Sequence, residues 1–308
     1  MHFFILKRLA MMIPVLIGVT FIMFTLMQVT PGDPAMAILG EAAPPEALAA
    51  LRLEMGLDNP FLVQFGSYLW NIVRLDFGTS WLTNRPVFTE IFARFPNTMQ
   101  LAGMGVLLAL VLGIPLGILS AVKQYSIFDT GATFVGLLGV SIPNFWLGMM
   151  MIMFFTVSLG WLPPTGFQDP IQWIMPTIAI GTGSAAIIMR MTRSSMLECI
   201  RQDYVRTARA KGQIERRVIF RHALKNAMIP VTTTAGLSFG FLLGGAVLTE
   251  TIFAIPGLGA YMVSAFFNRD WPVAIGGVLL IAISFSFVNL LVDVLYAFID
   301  PRIRSQYR

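Results

Sequence analysis

Six stretches of this 308-residue chain are apolar over roughly 18 residues or more, a length and character that suit the hydrocarbon of a lipid bilayer. They fall at about 9–27, 99–122, 131–159, 171–189, 227–248 and 273–299. Water does not reach a backbone amide at that depth, so each run has to close its own hydrogen bonds as a helix. The expected class is an all-α integral membrane protein with six transmembrane helices. Composition agrees: 56% of residues are hydrophobic, 12% are charged, and mean hydropathy is +0.75. The third and sixth runs are long enough to tilt or to extend past the hydrocarbon.

Lysine and arginine divide unevenly between the two sides that six crossings define. If the N-terminus is cytoplasmic, that side carries Lys7, Arg8, Lys123, Arg302, Arg304 and Arg308. It also carries Arg190, Arg193, Arg201, Arg206, Arg209, Lys211, Arg216, Arg217, Arg221 and Lys225. Only Arg52, Arg74, Arg85, Arg94 and Arg269 are left for the other side. That bias predicts both termini inside. It also turns the net charge of +5 from a nucleic-acid signal into a topology signal, so no nucleic-acid partner is expected. The first run follows Lys7 and Arg8 as a signal peptide would. It is too long for a secretory apolar region, and the first A-x-A after it, at Ala35 to Ala37, follows a Pro-Gly-Asp-Pro turn; it reads as an uncleaved first helix.

Residues 30–97 form the long external loop after the first helix. Pro44-Pro45 opens a helix that Gly56 closes at C′, and Asn59-Pro60 opens another, with Tyr68 and Trp70 suited to a membrane interface. Acids (Asp33, Glu41, Glu46, Glu54, Asp58, Asp76, Glu90) outnumber the four arginines here. The loop fits either a solvated cap or an element that meets something arriving from outside.

Nothing in the sequence assembles a catalytic site or a metal site. The histidines are His2 and His222, the single cysteine is Cys199, and H-E-x-x-H, C-x-x-C and G-x-S-x-G are absent. No lysine follows a glycine as a Walker A loop requires, so ATP would have to be bound by another chain.

The basic connector between the fourth and fifth runs is the most specific segment. It reads YVRTARAKG over Tyr204, Val205, Arg206, Thr207, Ala208, Arg209, Ala210, Lys211 and Gly212, then RRVIFRHALKNAMIPV over Arg216 to Val231. Physically this is a short helix, a glycine break and a second helix. Ala208 and Ala210 are small enough to seat in a partner's groove, and flanking cations can meet acids there. Its bland alternative is a basic topology determinant touching lipid headgroups. The segment resembles the "EAA" loop of binding-protein-dependent ABC importer permeases, in the form found in the dipeptide/oligopeptide/glutathione/opine/nickel family. Arg206 and Thr207 depart from the general pattern (glutamate and alanine) in the way that the peptide-type members do. VTPGDPAM, MGLDNP, LDFGTSW, PLGILSAVKQ, SIPNFWLG, LGWLPPTG, ETIFAIPGLG, NRDWPV and NLLVDVLYAFIDPRIR extend the resemblance in order along the chain. The PGDP turn and long first loop are similar to the B-type permease.

The resemblance implies a type I ABC importer permease fold. It implies a helical unit 1–97, a five-helix core 98–299 with a coupling loop at 190–226, and a tail 300–308. It implies a bacterial inner-membrane location and partners: a second permease, two ATPases that bind ATP and Mg, an external substrate-binding protein, and lipid. The chain itself would be neither an enzyme nor a cofactor carrier. Substrates in such a family include di- and oligopeptides, glutathione, opines and nickel complexes. An ion-gradient-driven secondary transporter is the rival class, but no inverted repeat or paired intramembrane charge supports it. A membrane-embedded hydrolase lacks a nucleophile with its base.

Within the helices, Gly236, Gly240 and Gly244 form a double GxxxG stripe beside Thr232, Thr233 and Thr234. The stripe suits close helix packing, while the family resemblance favours a translocation path along Thr232, Thr233, Gly236, Phe239 and Gly240, with Glu250 at its outer end. Gly113 and Gly117 read as packing. Pro143 is expected to kink the third helix. Asp293, near the end of the last, is expected to pair with Arg302 or Arg304 or to reach water.

Overall fold

The computed structural model describes residues 2–30, 32–40 and 42–299, with side chains from 5 to 295. The tail 300–308, with Arg302, Arg304 and Arg308, lies outside the described residues, as do Pro31 and Glu41. Among the described residues the regular structure is helical, apart from an isolated bridge between Thr79 and Pro86. The helices are α1 His2–Val29, α2 Pro34–Leu39, α3 Pro45–Glu54, α4 Phe61–Val73, α5 Val87–Val122, α6 Ile127–Ser141 and α7 Asn144–Met151. They continue as α8 Ile174–Ile200, α9 Asp203–Ala210, α10 Glu215–Arg217, α11 Leu224–Gly245, α12 Val247–Ile252, α13 Leu258–Phe267 and α14 Trp271–Ile299. A π-helical segment, Ile152–Ser158, extends α7, and another, Val218–Ala223, joins α10 to α11.

Five helical segments are long and apolar enough to cross a bilayer, and a bent pair, α6 with the extended α7, makes a sixth. Here the structure corrects the expectation of a kinked third helix, since the two halves diverge by 98°. Pro143 is not inside a helix. Its ring forces Ile142 out of the helical region (φ −82°, ψ 122°), and Pro143 itself precedes α7 in an extended conformation. The chain therefore breaks and restarts.

Two other boundaries move. Helix α5 begins at Val87, a dozen residues before the apolar run does, because Val87 and Ile91 are fully buried and hold its polar first turns. Helix α8 continues to Ile200 because RMTRSSMLECI contains no Pro or Gly, so Arg190 and Arg193 are helical and the connector is shorter than 190–226.

The described residues form two compact units: Thr98–Ile255 with 2–5 and 285–299, and Leu6–Asn97 with Pro256–Ser284. The core of the first is made by α5, α8 and α11 through Leu101, Val106, Ile180, Ile188, Val231 and Leu243. The second centres on Phe77, Val87, Ile91, Leu258, Trp271 and Ile275. In its outer part, α3 and α4 have no fully buried residue, and α4 meets α1 through rings: Phe21, Phe24, Phe61 and Phe65 pack edge-on or tilted with centroids 5.3–5.8 Å apart.

Candidate functional site

Helix α9 is a two-sided element. Asp203 in its first turn suits the helix dipole, and the Val205 and Arg206 amides donate to the Gln202 carbonyl as the helix opens. Val205 (0% exposed) and Ala208 (6%) point inward at i, i+3, into a cluster with Met196, Val218, Ile219, Ala223 and Ala227. Arg206, Thr207, Arg209, Ala210, Lys211 and Gly212 are exposed, and Tyr204 is 39% exposed. So of the two alanines expected to seat in a partner, Ala210 faces out, whereas Ala208 is consumed by the chain's own core because its position falls on the same face as Val205.

The end of α9 is fixed by backbone geometry. The Gln213 amide donates to the Ala208 carbonyl (3.3 Å) and the Gly212 amide to Arg209 (2.9 Å), a Schellman closure with Gly212 at φ +73°. The Arg209 guanidinium then clasps Glu215 by Nε–Oε2 (3.1 Å) and Nη2–Oε1 (2.6 Å). That pair raises the Arg209 pKa above its already high value, so the face stays cationic at any working pH. Together with Arg216, Arg217 and Arg221, all exposed, it forms a basic surface on a preorganised helix–turn–helix.

A second arrangement, missed in the sequence, supports it. Asp129, two residues into α6 and 4% exposed, accepts from Arg193 Nε (2.7 Å) and Nη2 (2.9 Å), from the Tyr125 amide (2.9 Å) and from Ser120 Oγ. Four donors satisfy a buried carboxylate, which is the condition for a buried ion pair to hold rather than destabilise. The pair ties the start of α6 to α8, seven residues before α8 ends and the connector begins. The available signal was an acid at the mouth of an apolar run; starting that run at residue 131 hid it in a loop.

Helix α11 brings most of the remaining candidates together. Thr232, Thr233 and Thr234 are half-buried, and each donates its hydroxyl to the carbonyl four residues back, which satisfies it within the helix. A β-carbon at Gly236 would lie 2.0 Å from Val292 Cγ2, and one at Gly240 2.9 Å from Phe285 Cδ2, so both glycines admit α14 at close range. Phe239 is half-buried. Glu250 sits in α12 rather than at the end of α11; it is fully buried and accepts from Thr98 Oγ1 at 2.6 Å. Asp293 in α14 is half-buried, and the arginines expected to pair with it lie outside the described residues. Among the described residues no group of His, Cys, Asp and Glu has metal-holding geometry.

Residues 113–305 match the family model "Binding-protein-dependent transport system inner membrane component", and residues 1–102 match the model of its N-terminal region. The chain belongs to this family. It is a membrane permease component of a binding-protein-dependent transport system. It is 46% identical to the dipeptide transport system permease protein DppB of Alkalihalophilus pseudofirmus, over 97% of this chain and 98% of that one. It is 45% identical to DppB of Escherichia coli K12, over 98% and 99%. Among solved structures, the fold matches the inward-facing MetNI methionine ABC transporter at a TM-score of 0.59 and 20% identity, covering 68% of this chain and 96% of that one. The family's permease therefore has the same fold as the type I importer permeases.

Proposed function

We infer that this chain is one of two paired membrane subunits of an ATP-driven importer of short peptides in a bacterial inner membrane. The observation that carries the reading is identity of 43–46% over nearly the whole chain to permeases named for dipeptide or peptide transport. The charge bias supports cytoplasmic termini, which puts the α9–α10 face in the cytosol and residues 30–97 outside. In that orientation the face, made by Tyr204, Arg206, Thr207, Arg209, Ala210, Lys211 and Gly212 with the α10 arginines, is the docking surface for one of two ATPase subunits. ATP and Mg are bound there, not in this chain. A second permease completes the path beside Thr232, Thr233 and Phe239 of α11, and an external binding protein delivers the substrate. Gly236 and Gly240 serve the path by letting α14 approach α11.

The chain works by conformational coupling. Closure of the ATPases on ATP displaces α9, and contacts that differ between the closed and open ATPase pair shift the permease between inward- and outward-open states. Because α9 is anchored by Val205 and Ala208 to the cluster around Met196 and Ile219, it moves as part of its own chain rather than as a loose loop.

The test is affinity purification of the tagged chain in mild detergent, followed by reconstitution with the co-purifying subunits and binding protein. A second six-span permease, Walker-motif ATPases and ATP-driven dipeptide uptake are expected. A chain that purifies alone and moves solute only with an ion gradient would overturn the reading.

A further inference from the structure

The second unit carries a half-open recess of ≈ 980 Å³, at the upper end of what small-molecule sites occupy. Its walls come from the end of α1, from α2 to α4, from the 76–84 loop and from the start of α14. Its chemistry is lopsided. Glu54 and Asp76 line it, and among the described residues no lysine, arginine or histidine does. Arg52, two residues before Glu54, is occupied by Asp33 through Nε (2.8 Å) and Nη2 (2.6 Å). Asp76 spends only Oδ1, on the Gly78 amide at 2.9 Å.

Two further lining groups bear on what the recess suits. The Tyr68 hydroxyl, on a lining residue, is sealed from water without a hydrogen-bond partner, so it is not offered to a ligand in the recess. The side chains of Asn59 and Asn71 line the wall without a hydrogen bond inside the described chain, and they alternate with apolar surface at Leu53, Met55 and Trp81. Carboxylates without a counter-cation, free amides and apolar patches at this scale complement a short peptide: ammonium, backbone amide and side chain in turn.

We propose that this external recess is a low-affinity site for the ammonium end of a short peptide, held by Glu54 and Asp76. The site lies in this subunit, between the ends of two of its long apolar helices and the 30–97 segment. It rests on the peptide-importer reading for its substrate class, but not for its geometry. Such a site would hold a peptide released by a binding protein and would favour cationic peptides.

The experiment uses the assembled complex in nanodiscs, without binding protein, and follows lysyl-leucine and its doubly N-acetylated form by saturation-transfer NMR and titration calorimetry. Lysyl-leucine should bind roughly tenfold more tightly than the acetylated form. E54Q/D76N, which preserves the Asp76 acceptor for Gly78, should abolish that difference, and Glu54→Asp should retain it. Equal binding of the two peptides, or full binding in E54Q/D76N, would overturn the proposal. ATP-driven peptide uptake by the same complex would then leave the importer reading intact. Peptide binding at the recess without any ATP-driven uptake would sink the importer reading and keep the site.

Discussion

Helices α1 and α8 would both be identified as membrane spans, yet they are built on opposite terms. The α1 segment from Ile5 has a mean hydropathy of 2.4 and only 11% of it is buried inside the chain; the α8 segment from Pro170 has 1.4 and 50% buried. The less apolar helix is the more interior one. In water the order would be reversed. In a bilayer the lipid is as apolar as leucine, so apolarity gives no preference for the protein interior, and what selects a helix for the interior is small size and satisfied polarity. Helix α8 supplies both: Gly181, Ser184, Ala186, Thr192 and Ser195 are buried, and its Arg193 meets Asp129. Helix α1 exposes Leu6, Ile13 and Ile22 to what would be lipid.

The sharpest way to break that contrast is at the α5–α8 contact. A β-carbon at Gly117 would lie 2.6 Å from the Met189 carbonyl oxygen and 2.6 Å from Thr192 Cβ, and a backbone oxygen cannot rotate away. Gly117→Leu should cost about 3 kcal/mol or more, read as a large fall in thermal stability of the detergent-solubilised chain. Ile13→Ala in α1, a comparable change of volume at a 59% exposed site, should stay within about 0.5 kcal/mol. Equal effects at the two sites would remove the distinction.

Next in size is Asp129→Ala, which strands Arg193. Because the Arg193 side chain keeps 28% exposure, the loss should be about 2–3 kcal/mol, below the full penalty for a buried charge; Asp129→Asn should recover part of it. Ala208→Leu should overpack the Val205–Ile219 cluster by about 1–3 kcal/mol and reduce transport at normal insertion, whereas Ala210→Leu should leave stability unchanged and weaken only ATPase association. Gly212→Ala should cost about 1 kcal/mol for its left-handed conformation and uncouple ATP hydrolysis from uptake. Smallest of all, Arg209→Ala should lose about 0.5 kcal/mol, because its pairing with Glu215 is solvent-exposed.

Much of this molecule was legible from its sequence, and the exceptions share a cause. Hydropathy located the spans, and Gly56 and Gly212 marked helix ends correctly because only glycine takes φ +66° and +73° without strain. The Tyr204–Gly212 segment stood out by charge and spacing. What spacing could not give was which side of α9 faces home, since Ala208 and Ala210 are both small and only tertiary packing distinguishes them. Asp129 and Arg193 are 64 residues apart, and no local pattern reports a pair at that separation. The recess among α2, α3, α4 and the 76–84 loop is likewise a product of distant segments meeting, with no periodicity to announce it.

The broken third span carries a mechanical consequence. An unbroken helix is a shaft: turn one end and the other end turns. Helix α6, at about 22 Å for its fifteen residues, ends at Ile142 before the far side of an approximately 30 Å hydrocarbon core is reached. The two-residue break interrupts the hydrogen-bonded ladder that would carry a turn from Asp129 to the far end. Beyond it, α7 has its own seat, where Gly148 lies against the Phe253 ring and faces Ala179 of α8. One apolar run thus becomes two stiff pieces that rest on α8 separately.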